Sequence, residues 1–314
     1  MSKPIQIQAA DGYLLHGKLW RSQPVLQTSP VVIINCATSV RSRYYARFAD
    51  ALHAAGCTVL TYDYRGIGDS RQGSLRSLRA GWLDWGELDF EAVLHYAHSR
   101  FEGEPIYVVG HSIGGFLIGL APSSHHIARI FTMGAQYAYW PDYKSQSRAK
   151  MFMQWHLAMP LLARLFGFVP AQRLGWMEDT PKGVALDWSG MGPRFEVSLG
   201  RRYRKELTPA SMLLARFAQV NAPILALGVE DDPFGTPAAL DRLLNYYVQS
   251  ERHHLRIAPE AIAQKEIGHF AFFHDRFRDS LWPIAFRWLL QRKIDPDVGL
   301  VTHFDSPANI TPTS

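Results

Sequence analysis

The stretch PIYVVGHSIGGFLIGLA, residues 105–121, decides the fold of this 314-residue chain. Ile106–Val109 is an apolar run typical of a strand buried on both faces of a parallel sheet, and a helix is predicted from there to about Ala121. Between them, Gly110-His111-Ser112-Ile113-Gly114 fits G-x-S-x-G, the pattern of a nucleophilic serine on a sharp strand-to-helix turn. Glycines suit such a turn because they carry no Cβ. The pattern predicts Ser112 as a nucleophile projecting above the sheet.

Predicted strands and helices alternate on both sides of this turn. An Asp11-Gly12 hairpin signal stands near the start of the chain. Short apolar runs predict further strands at Val31–Ile34, Thr58–Tyr62, Ile130–Met133, Ile224–Leu227 and Leu255–Ile257, most of them separated by helical patterns. Repeated βα units predict an α/β protein with a mostly parallel, doubly wound sheet that is covered by helices on both faces.

The alternation breaks over residues 137–221, which are rich in Trp, Met and Pro and contain no predicted strand. This segment is predicted to be a helical cap inserted into a core formed by residues 1–136 and 222–292, with a loosely packed polar tail over 293–314. Its helical apolar stripe, interrupted at Pro160, is more typical of packing than of a membrane anchor. The stripe comprises Met151, Phe152, Trp155, Met159, Leu162 and Phe166. Trp140 and Trp155 are expected to line a substrate site.

Composition excludes several classes of protein. Hydrophobic residues at 47% and charged residues at 19% exclude a disordered chain, a collagen-like fibre and a coiled coil. A net charge of +5 is too mild to indicate nucleic-acid binding, and the basic run at residues 201–205 is expected to be a solvated face. Two cysteines, Cys36 and Cys57, make no disulfide framework and favour a reducing compartment. With no secretory signal and no integral membrane segment in the pattern, a cytoplasmic location is expected.

A serine nucleophile needs a base, and the base needs an orienting carboxylate. The run Gly228-Val229-Glu230-Asp231-Asp232-Pro233 follows strand Ile224–Leu227, and Ile267-Gly268-His269-Phe270 follows the next strand. Catalytic groups gather beyond the carboxyl ends of parallel strands. The order serine, acid, histidine is the one expected of α/β hydrolases. Spacing alone leaves the acid open among Glu230, Asp231 and Asp232.

With these residues the chain resembles the α/β-hydrolase superfamily, from the Asp11-Gly12 hairpin to the last helix. It is most similar to predicted bacterial hydrolases related to the serine aminopeptidase-like and monoglyceride-lipase-like group. The segments Thr61–Ser70, Trp82–Gly86 and Gly110–Gly115 carry this resemblance. The resemblance implies that Ser112 is the nucleophile, His269 the base and Asp232 the acid.

Two N–H groups are expected to hold the oxyanion. One belongs to Ile113. The other comes from the loop Asn35–Ser39, where many relatives carry His-Gly, and it is that of Ala37 or Thr38.

The sequence lacks the motifs of enzymes that use a nucleotide cofactor or a metal ion. No G-x-G-x-x-G follows a strand and no G-x-x-x-x-G-K-[ST] occurs, so no cofactor is expected. The pairs His125-His126 and His253-His254 lack the motifs of a metal site and are expected on the surface or in loops. Arg65 and Asp69 are expected to brace a loop.

The predicted function is a serine hydrolase of the carboxylic-ester type that cleaves an ester or thioester of a small, largely apolar acyl substrate. Amide or peptide cleavage is the less favoured reaction. The alternatives are a non-catalytic binding protein with this fold, and an acyltransferase or cofactor-free haloperoxidase that uses the same triad.

Overall fold

A computed structural model of the chain describes residues 2–22, 29–202, 209–295 and 298–304. Within these ranges the strands are β1 (Lys3–Gln8), β2 (Leu14–Trp20), β3 (Val31–Asn35), β4 (Thr58–Tyr62), β5 (Ile106–His111), β6 (Ile127–Met133), β7 (Phe168–Val169), β8 (Thr180–Pro181), β9 (Ile224–Val229), β10 (Arg252–Ile257) and β11 (Leu300–Phe304).

One large sheet runs through the molecule in the order β1-β2-β4-β3-β5-β6-β9-β10-β11. The six strands from β4 to β10 pair in parallel, whereas β1, β2 and β11 run antiparallel to their neighbours at the two edges. Every residue of β3, β4, β5 and β9 is buried, which explains why these strands are continuous apolar runs. The predicted mostly parallel sheet is confirmed.

Helices cover the sheet. They are α1 (Ala46–Ala54), α2 (Trp82–Asp84), α3 (Glu91–Arg100), α4 (Ile113–Leu117), α5 (Arg148–Met151), α6 (Met159–Phe166), α7 (Lys182–Gly190), α8 (Phe195–Arg202), α9 (Ala210–Gln219), α10 (Pro237–Leu244) and α11 (Trp282–Gln291). π-Helical turns at Trp85–Phe90 and Phe152–Ala158 join α2 to α3 and α5 to α6.

The segment between β6 and β9, residues 134–223, holds helices α5 to α9 and the small antiparallel pair of β7 and β8. The prediction that this segment contains no strand is therefore wrong, although each strand has only two residues. Pro160 does not interrupt the helix, because it lies in the first turn of α6, directly after the π-helical turn. Irregular turns of this kind accommodate a ring that lacks an N–H group.

The carboxyl-terminal segment is better ordered than the sequence indicates. Leu300–Phe304 pairs with β10, from Arg252 opposite Phe304 to Arg256 opposite Leu300. The prediction of a loosely packed tail is wrong for these residues. Residues 296–297 and 305–314 lie outside the described part of the chain.

Two smaller predictions concern histidine and cysteine. His253 and His254 do not lie in a loop or on the surface. Both are buried in β10, where His254 Nδ1 lies 2.8 Å from Asp241 Oδ1. Cys36 and Cys57 are buried free thiols. No group of three or more metal-ligating side chains occurs among the described residues, and none of their helices is long and apolar enough to cross a membrane.

Candidate active site

Ser112 sits on a strained turn between β5 and α4. Its φ of 55° and ψ of −122° are unusual for a residue with a side chain. A Cβ on Gly114 would lie 2.3 Å from the carbonyl oxygen of Asn35, so only glycine fits this tight approach of the helix to the β3 loop. The Ser112 N–H donates to the Met133 carbonyl at 2.9 Å. These contacts hold the serine at the carboxyl end of β5, as the G-x-S-x-G pattern predicts.

His269 and Asp232 form a hydrogen-bonded pair. His269 Nδ1 lies 2.7 Å from Asp232 Oδ2, and the Phe234 N–H donates to Asp232 Oδ1 at 2.8 Å. The Asp232 side chain is completely buried. Burial opposes its ionisation, but His269 and the N–H groups of Gly235 and Phe234 outweigh burial and hold the pKa of Asp232 below its usual value. The pair therefore combines a carboxylate with an imidazole that it orients.

The two neighbouring carboxylates, Asp231 and Glu230, do not contact His269. Asp231 Oδ2 accepts hydrogen bonds from the Ile267 and Gly268 N–H groups at 2.7 and 2.9 Å. Asp231 thus holds the loop that presents His269, without touching the imidazole. Glu230 is exposed. Of the three carboxylates that spacing left open, only Asp232 contacts the imidazole of His269.

Ser112 and the His269–Asp232 pair both lie against the backbone at the end of β6. Gly134, which follows Met133, has a φ of +57°, and a Cβ there would lie 2.8 Å from Asp232 Oδ2 and 3.1 Å from His269 Nδ1. Glycine at this position lets the backbone pack directly against the pair. No hydrogen bond joins Ser112 Oγ to His269 within the part of the chain that the structure describes. Such a bond commonly tightens only when substrate binds.

A buried hydrogen-bond chain that the sequence did not reveal runs behind the site. His111 Nε2 lies 2.8 Å from the His269 carbonyl oxygen, and His111 Nδ1 lies 2.7 Å from Tyr45 Oη. Because a carbonyl only accepts, His111 carries its proton on Nε2, and Tyr45 donates to Nδ1. Tyr45 Oη in turn accepts the Ala37 N–H at 2.9 Å. The chain links the backbone of His269 to the β3 loop.

Burial, followed by the nearby His269, lowers the pKa of His111 to about 3. The unfolded chain takes up a proton on this histidine below pH of about 6.5, whereas the folded protein does not. The stability that His111 contributes is therefore complete above that pH and is lost as the pH falls towards the folded-state pKa.

We expect His111→Gln to remove this acid sensitivity. The difference in free energy of unfolding between native protein and variant should shrink by about 2 kcal/mol from pH 7 to pH 5, since one pKa unit corresponds to about 1.4 kcal/mol. Urea denaturation of both proteins at the two pH values measures this difference, and other titrating groups cancel in it. An unchanged difference would show that His111 takes up its second proton in the folded protein as readily as in the unfolded chain.

The loop after β3 offers one free N–H group of the two that the sequence proposes. The Ala37 N–H is already donated to Tyr45, whereas the Thr38 N–H has no acceptor among the described residues. Thr38 is buried. The Ile113 N–H is the first N–H of α4. As the second N–H of the expected oxyanion site, the geometry favours that of Thr38 over that of Ala37.

The next residue, Ser39, has a φ of 56° and is held by the β6–β9 segment. Its carbonyl accepts the Glu178 N–H at 3.0 Å, and its hydroxyl lies 2.7 Å from Thr180 Oγ1. Thr180 Oγ1 donates to the Glu178 carbonyl at 3.2 Å, so the Ser39 hydroxyl is the donor to Thr180. Arg41 adds an ion pair with Glu178 at 2.7 Å. We call these contacts of Ser39 and Arg41 with Glu178 and Thr180 the loop clamp.

A cavity of about 580 Å³ lies beside the clamp. It is lined by Ser39, Val40, Arg41, Arg43, Tyr44, Trp176, Met177, Glu178 and Phe270. Its walls thus include neighbours in sequence of both Thr38 and His269.

Neither Trp140 nor Trp155 is among the residues that line this cavity. Trp140 is 36% exposed and packs on Phe152 with ring centroids 4.7 Å apart. Trp155 is buried and lies edge-on to Trp176, at 5.3 Å between centroids, so it supports the cavity wall from behind.

Arg65 braces a loop, as predicted. Its guanidinium pairs with Asp89 and Asp11, each at 2.7 Å, which ties the turn after β4 to the β1–β2 hairpin and to the helical turn before α3. Asp69 lies in the same turn, where its N–H donates to Asp63 Oδ2 at 2.9 Å. Of the predicted basic face, residues 203–205 lie outside the described residues, and Arg202 pairs with Asp187.

A family profile described as "Alpha/beta hydrolase family" matches residues 14–279. No curated protein matches the sequence. Among solved structures, DcsB in complex with its substrate analogue is 14% identical, with 93% of this chain and 100% of that chain covered and a TM-score of 0.63. A carboxyl esterase from Bacillus coagulans is 14% identical over 92% and 97% of the two chains, with a TM-score of 0.56. The Pyrococcus furiosus esterase Pf2001 is 15% identical over 94% and 92%, with a TM-score of 0.57. At these identities the similarity is one of fold.

Proposed function

Because the chain belongs to the alpha/beta hydrolase family, we propose that it is a serine hydrolase of the carboxylic-ester type. The observation that carries the proposal is the buried His269–Asp232 pair, at 2.7 Å, packed against the backbone that also holds Ser112. The finer assignment to the serine aminopeptidase-like and monoglyceride-lipase-like group, and the division into a core and a cap over residues 137–221, remain part of this proposal.

The proposed reaction has two halves. Ser112 Oγ attacks the carbonyl carbon of the substrate while His269 Nε2 takes the hydroxyl proton, and Asp232 stabilises the resulting imidazolium. The tetrahedral intermediate expels the alcohol or thiol, which receives the proton from His269. Water then attacks the acyl-enzyme by the same route and releases the carboxylic acid.

The N–H groups of Ile113 and Thr38 would stabilise the oxyanion of both intermediates. A donor of this kind is effective only when it is held in position before the reaction. The backbone conformation of Ser39, the residue after Thr38, is held by the loop clamp. Glu178 and Thr180, which form the other side of the clamp, are far away in sequence.

We expect Thr180→Val to lower kcat by about tenfold with little change in KM, because loss of a complete oxyanion donor costs about 10²–10³ and this change only loosens one. Thr180→Ser keeps the hydroxyl and should keep the native rate. Steady-state kinetics on a p-nitrophenyl ester, with thermal melting of each variant, measure the effect. A rise in KM at constant kcat would show that the clamp shapes the substrate site and not the oxyanion site.

The cavity beside the clamp is the proposed site for the acyl chain. Trp176, Met177, Tyr44 and Phe270 supply apolar and aromatic walls, which suit a small acyl group better than a charged one. Trp140 and Trp155, the residues proposed from sequence, would act on the substrate only through their neighbours.

We expect kcat/KM for p-nitrophenyl and thioester substrates to rise with acyl length up to a cutoff, by up to about fourfold per methylene, since a buried methylene contributes about 0.8 kcal/mol. Trp176→Ala should move the cutoff to longer chains. Trp140→Ala removes a tryptophan that does not line the cavity and is the matched control. A flat profile from acetyl to octanoyl, or one that Trp176→Ala leaves unmoved, would place the acyl chain elsewhere.

A further inference from the structure

The continuous helical segment of α5, the π-helical turn and α6 is apolar on two faces. Its inner face is buried and carries Met151, Trp155 and Met159 of the predicted packing stripe, whereas Phe166, the last residue of that stripe, is exposed. Its outer face carries Met153, Leu157, Leu161 and Leu165, which are 58%, 46%, 56% and 68% exposed. Residues four apart share one side of a helix, so these four form a single exposed row.

Two more exposed apolar residues follow in sequence, Phe166 at the end of α6 and Leu174 in the turn after β7. Phe166 and Leu174 are each 44% exposed, and we call the six residues from Met153 to Leu174 the outer apolar row. Of the ten large hydrophobic side chains that are exposed in the described part of the protein, six belong to this row. Apolar side chains gathered in this way mark an interaction surface, because those that are merely tolerated at a surface are scattered.

Positive charge borders the helical part of the outer apolar row, whereas Glu178 and Asp179 near Leu174 are paired with Arg41 and Arg71. Residues 148–175 contain Arg148, Lys150, Arg164 and Arg173, and no Asp or Glu. Lys150, Arg164 and Arg173 are exposed. A cavity of about 460 Å³ on the flank of α6 is lined by Arg164, Arg201 and Arg202, and also by Asp187, which is paired with Arg202. The surface therefore combines an apolar strip with a cationic border and a recess large enough for a phosphate group.

We infer that this face docks on an anionic lipid surface. An exposed apolar row inserts among acyl chains while its cationic border attracts the negative headgroups. A second copy of the chain is the less suitable occupant, because a two-fold interface would bring the same cations against each other. Only Gly175 separates Leu174 from Trp176 and Met177, which line the cavity beside the loop clamp. Docking would thus bring that wall close to the lipid. The inference does not depend on the proposed hydrolase activity.

Sedimentation with lipid vesicles tests the inference. The protein should bind vesicles in which about a third of the lipid is phosphatidylglycerol, bind pure phosphatidylcholine vesicles weakly, and release from the former as salt rises. Leu157→Gln/Leu161→Gln/Leu165→Gln should weaken binding by about a hundredfold through loss of apolar insertion. Leu300→Gln changes a leucine on β11 that is 72% exposed, and this variant should bind like the native protein.

Charge is tested separately. Arg164→Gln/Arg173→Gln should weaken binding to the anionic vesicles by about 25-fold, or about fivefold per cation, whereas Lys18→Gln/Arg100→Gln should have little effect. Circular dichroism confirms that each variant is folded. Failure of the native protein to bind anionic vesicles, or equal binding by the triple leucine variant, overturns the inference. Self-association that the leucine changes abolish, without vesicle binding, would assign the face to a second copy. Because no turnover is measured, these outcomes are independent of the Ser112 chemistry.

Discussion

Ser112→Ala should lower kcat for ester hydrolysis by about 10³–10⁶, because removal of a triad member leaves only the contribution of binding and of the oxyanion donors. The hydroxyl that would form the acyl-enzyme is lost, while the backbone of the turn is retained. A fluorophosphonate probe should label the native protein and spare the variant. Mass spectrometry of the labelled peptide, which contains residues 110–115, measures this directly.

The control for this experiment is Ser99→Ala, which removes an exposed hydroxyl that donates to the His95 carbonyl within α3. It should keep native activity and labelling. Equal labelling of native protein and Ser112→Ala would contradict the assignment of the nucleophile. Labelling of Ser112 without hydrolysis of any ester or thioester would favour an acyltransferase. An absence of both would favour a binding protein with this fold.

Asp232→Asn should lower kcat by about 10⁴, because the amide no longer orients His269 in the tautomer that accepts the serine proton. Asp231→Asn is the matched change one residue away. It should cost far less, since the amide oxygen can still accept the Ile267 and Gly268 N–H groups. Steady-state kinetics and thermal melting of both variants separate loss of catalysis from loss of folding. The reverse ranking would make Asp231 the acid.

The fold and the place of Ser112 on a sharp turn after β5 could be predicted because their signals are local. A strand such as β5, buried on both faces, must be apolar along its whole length, and a sharp turn into α4 needs glycine beside Ser112. Spacing alone narrowed the carboxylate partner of His269 only to three adjacent residues. The side chains of Asp231 and Asp232 diverge after β9, and only the loop before His269 decides which of them reaches the imidazole.

The remaining features depend on contacts between distant parts of the chain. The β11 strand is recognisable only through its pairing with β10. In β10, His254 contacts Asp241 and His253 contacts His303 of β11, and no local pattern shows either contact. His111 could have been suspected from its place beside Ser112, but its partners Tyr45 and the His269 carbonyl are 66 and 158 residues away. Thr180 contacts Ser39 across 141 residues.

Two different parts of the chain position the groups of the candidate active site, and the loop clamp belongs to one of them. Asp232 follows strand β9 and His269 follows strand β10 of the main sheet. The backbone after Thr38, in contrast, is held in a left-handed conformation by residues 178–180. Local opening of a peripheral segment requires less free energy than global unfolding. On warming, hydrolysis should therefore cease reversibly while the sheet is still intact. The temperature range in which the protein works would then be set by a short stretch of chain that donates no catalytic group.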